Sequence, residues 1–348
     1  MYENSNALIR EIAENWKLEA RDENNSRYFF HTVEVDKILR GQKKYVIGRK
    51  GTGKTAVREH IYRQNDNAAI FTEKLTFKNF PFNTLYAQKN LQYTAPNHYI
   101  TLWKLLIYSV IAKMMLRNKN IDKDVKESLS LSYKPDTLTT LVRVVPEWLG
   151  RQFDVLPISN QNYPATEGSL PWVSNVEILE DIILQHLDNG KYYIIFDELD
   201  EDYRDKNQIE DYTLYENLIT SLFKAVQDIN STFRHTGKNI FPIIFLRDDI
   251  YSFIKDADKN KWTDYKIDLE WDEDKLKKML AFRISRATNP DGKILDFESV
   301  WRTLTKPYVK FPDRERGLPG LTTFTFISNS KLSSFLCSHF VQAILGRF

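Results

Sequence analysis

The chain has 348 residues, of which 42% are hydrophobic and 28% charged, the composition of a soluble globular protein with about two domains. The net charge of +2 indicates no particular class of partner, and a single cysteine, Cys337, excludes an internal disulfide and fits a reducing compartment. The six histidines are scattered, so we expect no zinc site. Residues 1–6 do not resemble a signal peptide, and no uninterrupted apolar run reaches the roughly 18–20 residues of a membrane helix. We therefore expect a cytoplasmic protein with no membrane partner.

The first predicted element is a helix over residues 1–20, where apolar residues recur at helical spacing. We assign residues 1–27 to an N-terminal helical segment that packs before the main domain. A short apolar run at 44–47 then predicts a strand, and residues 55–63 have a helical pattern.

Residues 48–55, between that strand and that helix, form the complete pattern G-x-x-x-x-G-K-[ST] of a phosphate-binding loop. Strand, loop and helix occur in the order that the motif requires, which argues against a chance glycine turn. Backbone N–H groups of such a loop, together with the positive end of the helix dipole, bind phosphate oxygens. Lys54 would reach the β- and γ-phosphates, and the Thr55 hydroxyl would hold Mg²⁺. The predicted binding residues are Gly48, Arg49, Lys50, Gly51, Thr52, Gly53, Lys54, Thr55 and Ala56.

Three aromatic residues just upstream of the loop, Phe29, Phe30 and His31, are candidates for stacking on the nucleotide base. Packing in the core is the alternative interpretation of all three.

An unusually long segment separates the phosphate-binding loop from the next candidate motif, since Asp197 follows Lys54 by 143 positions. We therefore predict a mainly helical insertion at about 80–175. The strongly apolar helix at 101–116 is interpreted as a buried core helix. Long elaborations of this kind usually have binding or gating roles.

The second motif is an apolar run at 192–196 that ends in Asp197 and Glu198. Continuous apolar character is typical of a parallel strand buried on both faces, and ligands bind beyond the carboxyl ends of such strands. Asp197 would hold a Mg²⁺-bound water, and Glu198 would polarise the attacking water as a general base. An acidic turn after a core strand is the alternative. Asp200 is the best candidate for a supporting contact among the acids that follow.

Arginines supply the remaining candidates. A third apolar strand at 240–246 ends in Arg247, which could sense the γ-phosphate or instead form a salt bridge with Asp248, Asp249 or the Asp197 cluster. Arg283 and Arg286, on a predicted helix at 275–286, could act as an arginine finger or belong to a plain surface helix.

The nucleotide is expected to be ATP, because no Asn-Lys-x-Asp motif for guanine follows a clear strand. Hydrolysis is favoured over transfer to a second substrate, since a glutamate directly follows the magnesium aspartate. Charge is also segregated: eight Lys/Arg and no acid occur at 37–58, whereas eight acids and two bases occur at 197–211. This contrast fits a basic phosphate-facing loop and an acidic metal-facing loop; two solvated faces are the alternative.

The last segment contains no Asp or Glu after Arg316 and is rich in Ser, Leu and Phe. A partner-binding or oligomerisation tail, an altered terminus and an ordinary core element are three open interpretations of residues 316–348. The predicted domains are thus 1–27, an ATPase domain at 28–285, and a C-terminal helical or irregular segment at 286–348.

Taken together, these segments resemble a group of bacterial P-loop ATPases related to the KAP and STAND-like branches of the AAA+-type ATPases. The resemblance covers about residues 28–285. The segments that resemble the group are 28–41, 46–55, 194–201, 244–251, 258–261 and 269–272. It implies an α/β P-loop NTPase core with a central, mainly parallel sheet and a catalytic glutamate. It also implies ATP-driven assembly or switching, often beside an effector protein in bacterial anti-phage defence. Two departures are Arg247, where many relatives have an uncharged polar sensor, and the acid-free tail.

Three functional hypotheses follow. The first is a Mg²⁺-dependent ATPase that couples its nucleotide state to homo-oligomerisation or to a separate effector protein. The second is a scaffold that binds ATP with negligible turnover. The third is a DNA-stimulated ATPase, although the sequence has no stripe of Lys/Arg with interleaved aromatics to support a nucleic-acid partner.

Overall fold

The computed structural model describes residues 2–17, 19–77, 86, 93–133, 171–202 and 209–304. About half of the predicted insertion and all of the acid-free tail at 316–348 therefore lie outside the described residues. The chain divides into two compact units. Unit 1 comprises Met1–Thr32, Lys50–His60 and Glu270–Phe348, and unit 2 comprises Val33–Arg49 and Ile61–Leu269.

Unit 2 contains a five-stranded, all-parallel sheet with the strand order β2-β3-β4-β1-β5. The strands are β1 (Tyr45–Ile47), β2 (Ile70–Thr76), β3 (Lys191–Asp197), β4 (Asn239–Leu246) and β5 (Lys266–Asp268). β1, β3 and β4 are almost wholly buried, which explains the continuous apolar runs by which the sequence predicts them. The fold class is therefore α/β with a parallel sheet, as predicted.

The helices of unit 2 pack around this sheet. In chain order they are α3 (Val33–Leu39), α5 (Ile100–Arg117), α6 (Lys123–Ser130), α7 (Pro171–His186), α8 (Ile209–Phe233), α9 (Asp248–Phe253) and α10 (Lys259–Trp262). Helix α5 contacts α7, α8 and β3, and most of its side chains belong to the main hydrophobic core. The prediction of a buried core helix at 101–116 is confirmed.

One described helical stretch, Asn97–Arg117, is long and apolar enough to cross a membrane by composition alone. Because 78% of its most apolar window is buried inside the protein, it has the character of a core helix and is consistent with a soluble protein.

Unit 1 is helical in its described part. It contains α1 (Tyr2–Asn15), α2 (Asn25–Tyr28), most of α4 (Lys54–Tyr62), α11 (Glu273–Thr288) and α12 (Phe297–Leu304). A small core joins α1, α2, α11 and α12, formed by Leu8, Ile12, Tyr28, Leu280, Ala281, Ile284, Ala287 and Val300. The N-terminal and C-terminal parts of the chain therefore share one core rather than two.

Candidate functional site

The phosphate-binding loop follows β1, as the motif requires. Gly51 and Gly53 have φ angles of +89° and +95°, in the left-handed region that residues with a Cβ rarely adopt. The N–H of Val57 donates to the Gly53 carbonyl at 3.0 Å, which closes the first turn of α4. The loop glycines thus reverse the chain into the amino end of a nine-residue helix, where backbone N–H groups bind anions.

The residues of the motif differ in exposure. Gly48 is buried at the end of β1, Arg49 and Lys50 are exposed, and Lys54 and Thr55 are half-buried at the start of α4. Lys54 and Thr55 are therefore the first helical residues after the loop, the positions at which the motif requires them.

Two side chains outside the motif hold the loop and its helix within unit 1. The indole Nε1 of Trp271 donates to the Thr52 carbonyl at 2.9 Å, and Asn25 Nδ2 donates to the Ala56 carbonyl at 3.3 Å. Neither residue is among the candidates predicted from the sequence. In the sequence, Trp271 is in the segment 269–272, one of those that resemble the ATPase group, but the resemblance assigns no role to this tryptophan.

The basic run at 37–58 is only partly exposed. Arg58 is 1% exposed, and its guanidinium donates to the Glu59 carboxylate at 2.8 Å. Lys44 is 3% exposed in unit 2, with its ammonium over the ring of Phe241. Two of the eight cations thus have internal positions, and the sequence count overstates the positive charge available at the loop.

The acidic motif lies at the carboxyl end of β3. Asp197 is 8% exposed, so its carboxylate lies at the rim of the sheet rather than in bulk solvent. Glu198 is half-buried and has a φ angle of +59°, the one positive value at a non-glycine position among the described residues. A left-handed conformation costs such a residue roughly 1–2 kcal/mol, and strain of this kind is concentrated at functional sites.

A neighbouring strand holds the Glu198 side chain. Thr76, the last residue of β2 and the register partner of Asp197, donates its hydroxyl to Glu198 Oε2. The sequence did not identify Thr76 because the contact depends on the β2–β3 register, across 122 positions.

The tip of β4 carries Arg247 next to the acidic motif. Its guanidinium donates to both Asp249 oxygens, at 3.0 and 2.5 Å, and to Asp200 Oδ2 at 3.4 Å. The hydrogen-bonded Asp249 carboxylate is the main cause that raises the pKa of Arg247, so the guanidinium keeps its charge. The salt bridges named as the alternative are therefore present. A sensor role stays a prediction, and it requires Arg247 to exchange an acidic partner for a phosphate.

The three aromatic candidates pack inside unit 1. Phe29 stacks on His60 with ring centroids 4.1 Å apart, His31 meets both rings edge-on, and Phe30 packs on Phe282. Burial, with a smaller effect from His31, lowers the pKa of His60 to about 4, so that ring is neutral at pH 7. Phe29 and Phe30 are half-buried and His31 is exposed, so the three form a cluster at the surface of unit 1, and base stacking stays a prediction.

The two arginines of α11 are also engaged within unit 1. Arg283 forms a two-pronged ion pair with Glu23 and lies over the Trp16 ring at 4.5 Å. Arg286 donates to the carbonyls of Pro290 and Gly292, beyond the end of α11. These contacts give both arginines a structural role.

Within the described ranges, no group of three or more His, Cys, Asp or Glu side chains could hold a metal ion by itself.

No protein-family model, curated protein or solved structure matches the chain at a significant level.

Proposed function

We propose that this chain is a P-loop ATPase that binds Mg²⁺-ATP through residues 48–55 and hydrolyses it with Glu198 as the general base. The observation that carries the proposal is the edge of the parallel sheet in unit 2. The carboxyl ends of β1, β4 and β3 are neighbours there, and they lead respectively into the loop at Gly48, into Arg247, and into Asp197 and Glu198. Ligands of parallel α/β sheets bind at such an edge.

The order of the strands adds support. One strand, β4, separates the loop strand β1 from the strand β3 that ends in the two acids. The end of β1 and the acids are therefore two interstrand spacings apart at the sheet edge, roughly 10 Å. The P-loop identity of the fold is therefore part of the proposal, and it rests on the motif, the strand order and the left-handed loop glycines together.

Each residue has a defined role in the proposal. Backbone N–H groups of the loop and the ammonium of Lys54 bind phosphate oxygens, because both are donors at a helix amino end. The Thr55 hydroxyl would hold the magnesium ion, and the Asp197 carboxylate would hold a magnesium-bound water. Glu198 accepts the proton of the attacking water, and Arg247 stabilises the charge on the phosphoryl oxygens once it leaves its acidic partners.

The residues present fit a magnesium ion rather than a caged metal. Mg²⁺ is usually bound by one or two protein oxygens, with waters and substrate phosphates completing its shell. The mostly buried Asp197 carboxylate at the sheet edge provides an oxygen of the type that this mode of binding uses. When bound, the ion neutralises charge that develops between the β- and γ-phosphates.

We further propose that the nucleotide state controls homo-oligomerisation or a separate effector in the bacterial cytoplasm, in anti-phage defence. This part rests on the resemblance alone and is an analogy between folds.

Calorimetric titration of Mg²⁺-ATP into the wild-type protein and the Lys54→Ala variant tests nucleotide binding. Loss of a charge-assisted contact to phosphate should weaken affinity by about 10- to 100-fold. Lys277→Ala is the control, since Lys277 lies on α11 and its ammonium forms an ion pair with Glu273 at 2.6 Å that is of little consequence for stability. Equal affinities for wild type and Lys54→Ala would refute the phosphate role of Lys54.

Native mass spectrometry with and without ATP, beside a phosphate-release assay, separates the ATPase from the scaffold. An ATP-dependent assembly that releases no phosphate would favour the scaffold. Strong stimulation of phosphate release by DNA would instead favour the third hypothesis.

A further inference from the structure

Trp271 contacts the phosphate-binding loop within unit 1. Its indole Nε1 donates to the Thr52 carbonyl at 2.9 Å, and a side chain added at Gly53 would have its Cβ 4.0 Å from Cζ2 of the same indole. The ring is therefore hydrogen-bonded to the loop at Thr52 and borders the space beside Gly53. The hydrogen bond holds one peptide unit, the one that joins Thr52 to Gly53.

The Trp271 hydrogen bond also sets the direction of the Gly53 N–H, because the Thr52 carbonyl and the Gly53 N–H belong to one trans peptide. The C=O and the N–H of one peptide plane point in opposite directions, so the carbonyl held by Trp271 directs the Gly53 N–H away from the indole. Gly53, at φ +95°, is a residue whose backbone could otherwise adopt many orientations. A loop that binds phosphate through its N–H groups requires that this peptide have one orientation.

Trp271 itself has a fixed position. It directly precedes Asp272, the N-cap of α11, whose carboxylate accepts from the Lys275 N–H at 2.7 Å. A second tether acts on the helix after the loop, where buried Asn25 donates to the Ala56 carbonyl. The loop and its helix are thus held from α11 on one side and from α2 on the other.

We infer that Trp271 is a positioning residue for the phosphate-binding loop, an inference that rests on the proposed function. Without the indole N–H, the Thr52–Gly53 peptide samples orientations that do not bind phosphate. The apparent affinity for nucleotide then falls in proportion to the competent fraction. The expected loss is about three- to tenfold, the range for one hydrogen bond to a backbone carbonyl.

The test compares Trp271→Phe with Trp103→Phe, a closely matched control. Trp103 also donates its indole N–H to a backbone carbonyl at 2.9 Å, that of Leu218, but it does so in the core of unit 2. Both variants lose the same type of bond, and each keeps an aromatic ring. Mg²⁺-ATP affinity, phosphate release at saturating ATP and the melting temperature are measured for wild type and both variants.

Trp271→Phe should weaken affinity about three- to tenfold and leave the saturated rate within about twofold, because bound nucleotide restores the loop. Trp103→Phe should lower the melting temperature at least as much, while its affinity stays within about twofold of wild type. Loss of a residue with a merely structural role would not weaken Mg²⁺-ATP affinity while leaving phosphate release at saturating ATP unchanged. If Trp271→Phe does not fold, Trp271→Leu is measured instead, and it should weaken affinity by at least as much.

The results also separate the inference from the function on which it rests. Wild-type protein that does not bind Mg²⁺-ATP would overturn the proposed function and the inference with it. Tight binding by wild type with unchanged affinity in Trp271→Phe would overturn the inference alone. So would an equal loss of affinity in Trp271→Phe and Trp103→Phe, because the effect would then be one of general stability.

Discussion

Glu198 combines a strained backbone with a hydrogen-bonded carboxylate, and mutation can separate the effects of these two features on the free energy of unfolding. Its φ of +59° costs roughly 1–2 kcal/mol relative to an ordinary conformation. Replacement by glycine removes that strain but adds about 0.5–1 kcal/mol of chain entropy to the unfolded state. The net backbone gain from Glu198→Gly is therefore about 0.5–1 kcal/mol in favour of the folded protein.

The Thr76 hydrogen bond opposes this gain in the wild-type background. A bond to a carboxylate contributes about 1.5–3 kcal/mol when buried, and about 1 kcal/mol is reasonable for this half-buried pair. Thr76→Val alone should destabilise by about 1 kcal/mol. In the Thr76→Val background, where the Thr76 hydrogen bond is already absent, Glu198→Gly should be about 1 kcal/mol more favourable than it is in the wild-type background.

Thermal unfolding of the four proteins without nucleotide gives this double-mutant cycle, in which 1 kcal/mol corresponds to roughly 2–4 °C. Glu270→Gly is the control, because Glu270 is exposed, lies outside the helices and strands, and does not have a positive φ. It should lower the melting temperature slightly. A Glu198→Gly protein less stable than Glu198→Ala would refute the strain, because both variants lose the same side-chain contacts and only glycine relieves the positive φ. A coupling near zero between Thr76→Val and Glu198→Gly would refute the hydrogen bond.

Two further predictions concern backbone and charge. Gly53→Ala and Gly237→Ala should each destabilise by about 1–2 kcal/mol, since both glycines have positive φ and neither has an atom closer than 4.0 Å to the new methyl. In titrations, only Gly53→Ala should weaken ATP binding, and an equal effect of both would contradict the loop assignment. Burial, helped by Arg234, lowers the pKa of Lys44 to about 8, below its unfolded value of roughly 10.4. The charged form is thus penalised below pH 8, and stability rises as pH increases from 8 to 10. Lys44→Met should therefore raise the free energy of unfolding by about 2–3 kcal/mol at pH 7, and the melting temperature with it. If the gain in melting temperature does not decrease between pH 7 and pH 10, the lowered pKa of Lys44 is refuted.

Local patterns in the sequence were sufficient to predict most of the sheet and the positions of the candidate residues along it. Strands β3 and β4 are continuous apolar runs because both of their faces are buried, and the acids and Arg247 follow directly at their carboxyl ends. Strand β5 was missed, since its three residues, Lys266–Asp268, include one buried apolar side chain and show no run.

Contacts between distant parts of the chain could not be predicted in the same way. Thr76 reaches Glu198 only through the pairing of β2 with β3, and Trp271 meets Thr52 across 219 positions. The φ angle of Glu198 is likewise a property of the folded turn, because glutamate has no intrinsic preference for it. The number of Lys and Arg residues at 37–58 likewise overestimates the exposed positive charge, because burial depends on the folded chain: Arg58 is in this run but is buried against Glu59.

Phosphate release from saturating Mg²⁺-ATP by wild type and Glu198→Gln, with ATP affinity measured on the same samples, tests the proposed activity most directly. Glutamine keeps the shape of the side chain and can still accept from Thr76, but it cannot take a proton from water. We expect wild type to release phosphate, and the variant to bind ATP with similar affinity while its rate falls by about 100-fold or more. Equal rates in the two proteins, or tight ATP binding with no phosphate release by wild type, would contradict the account.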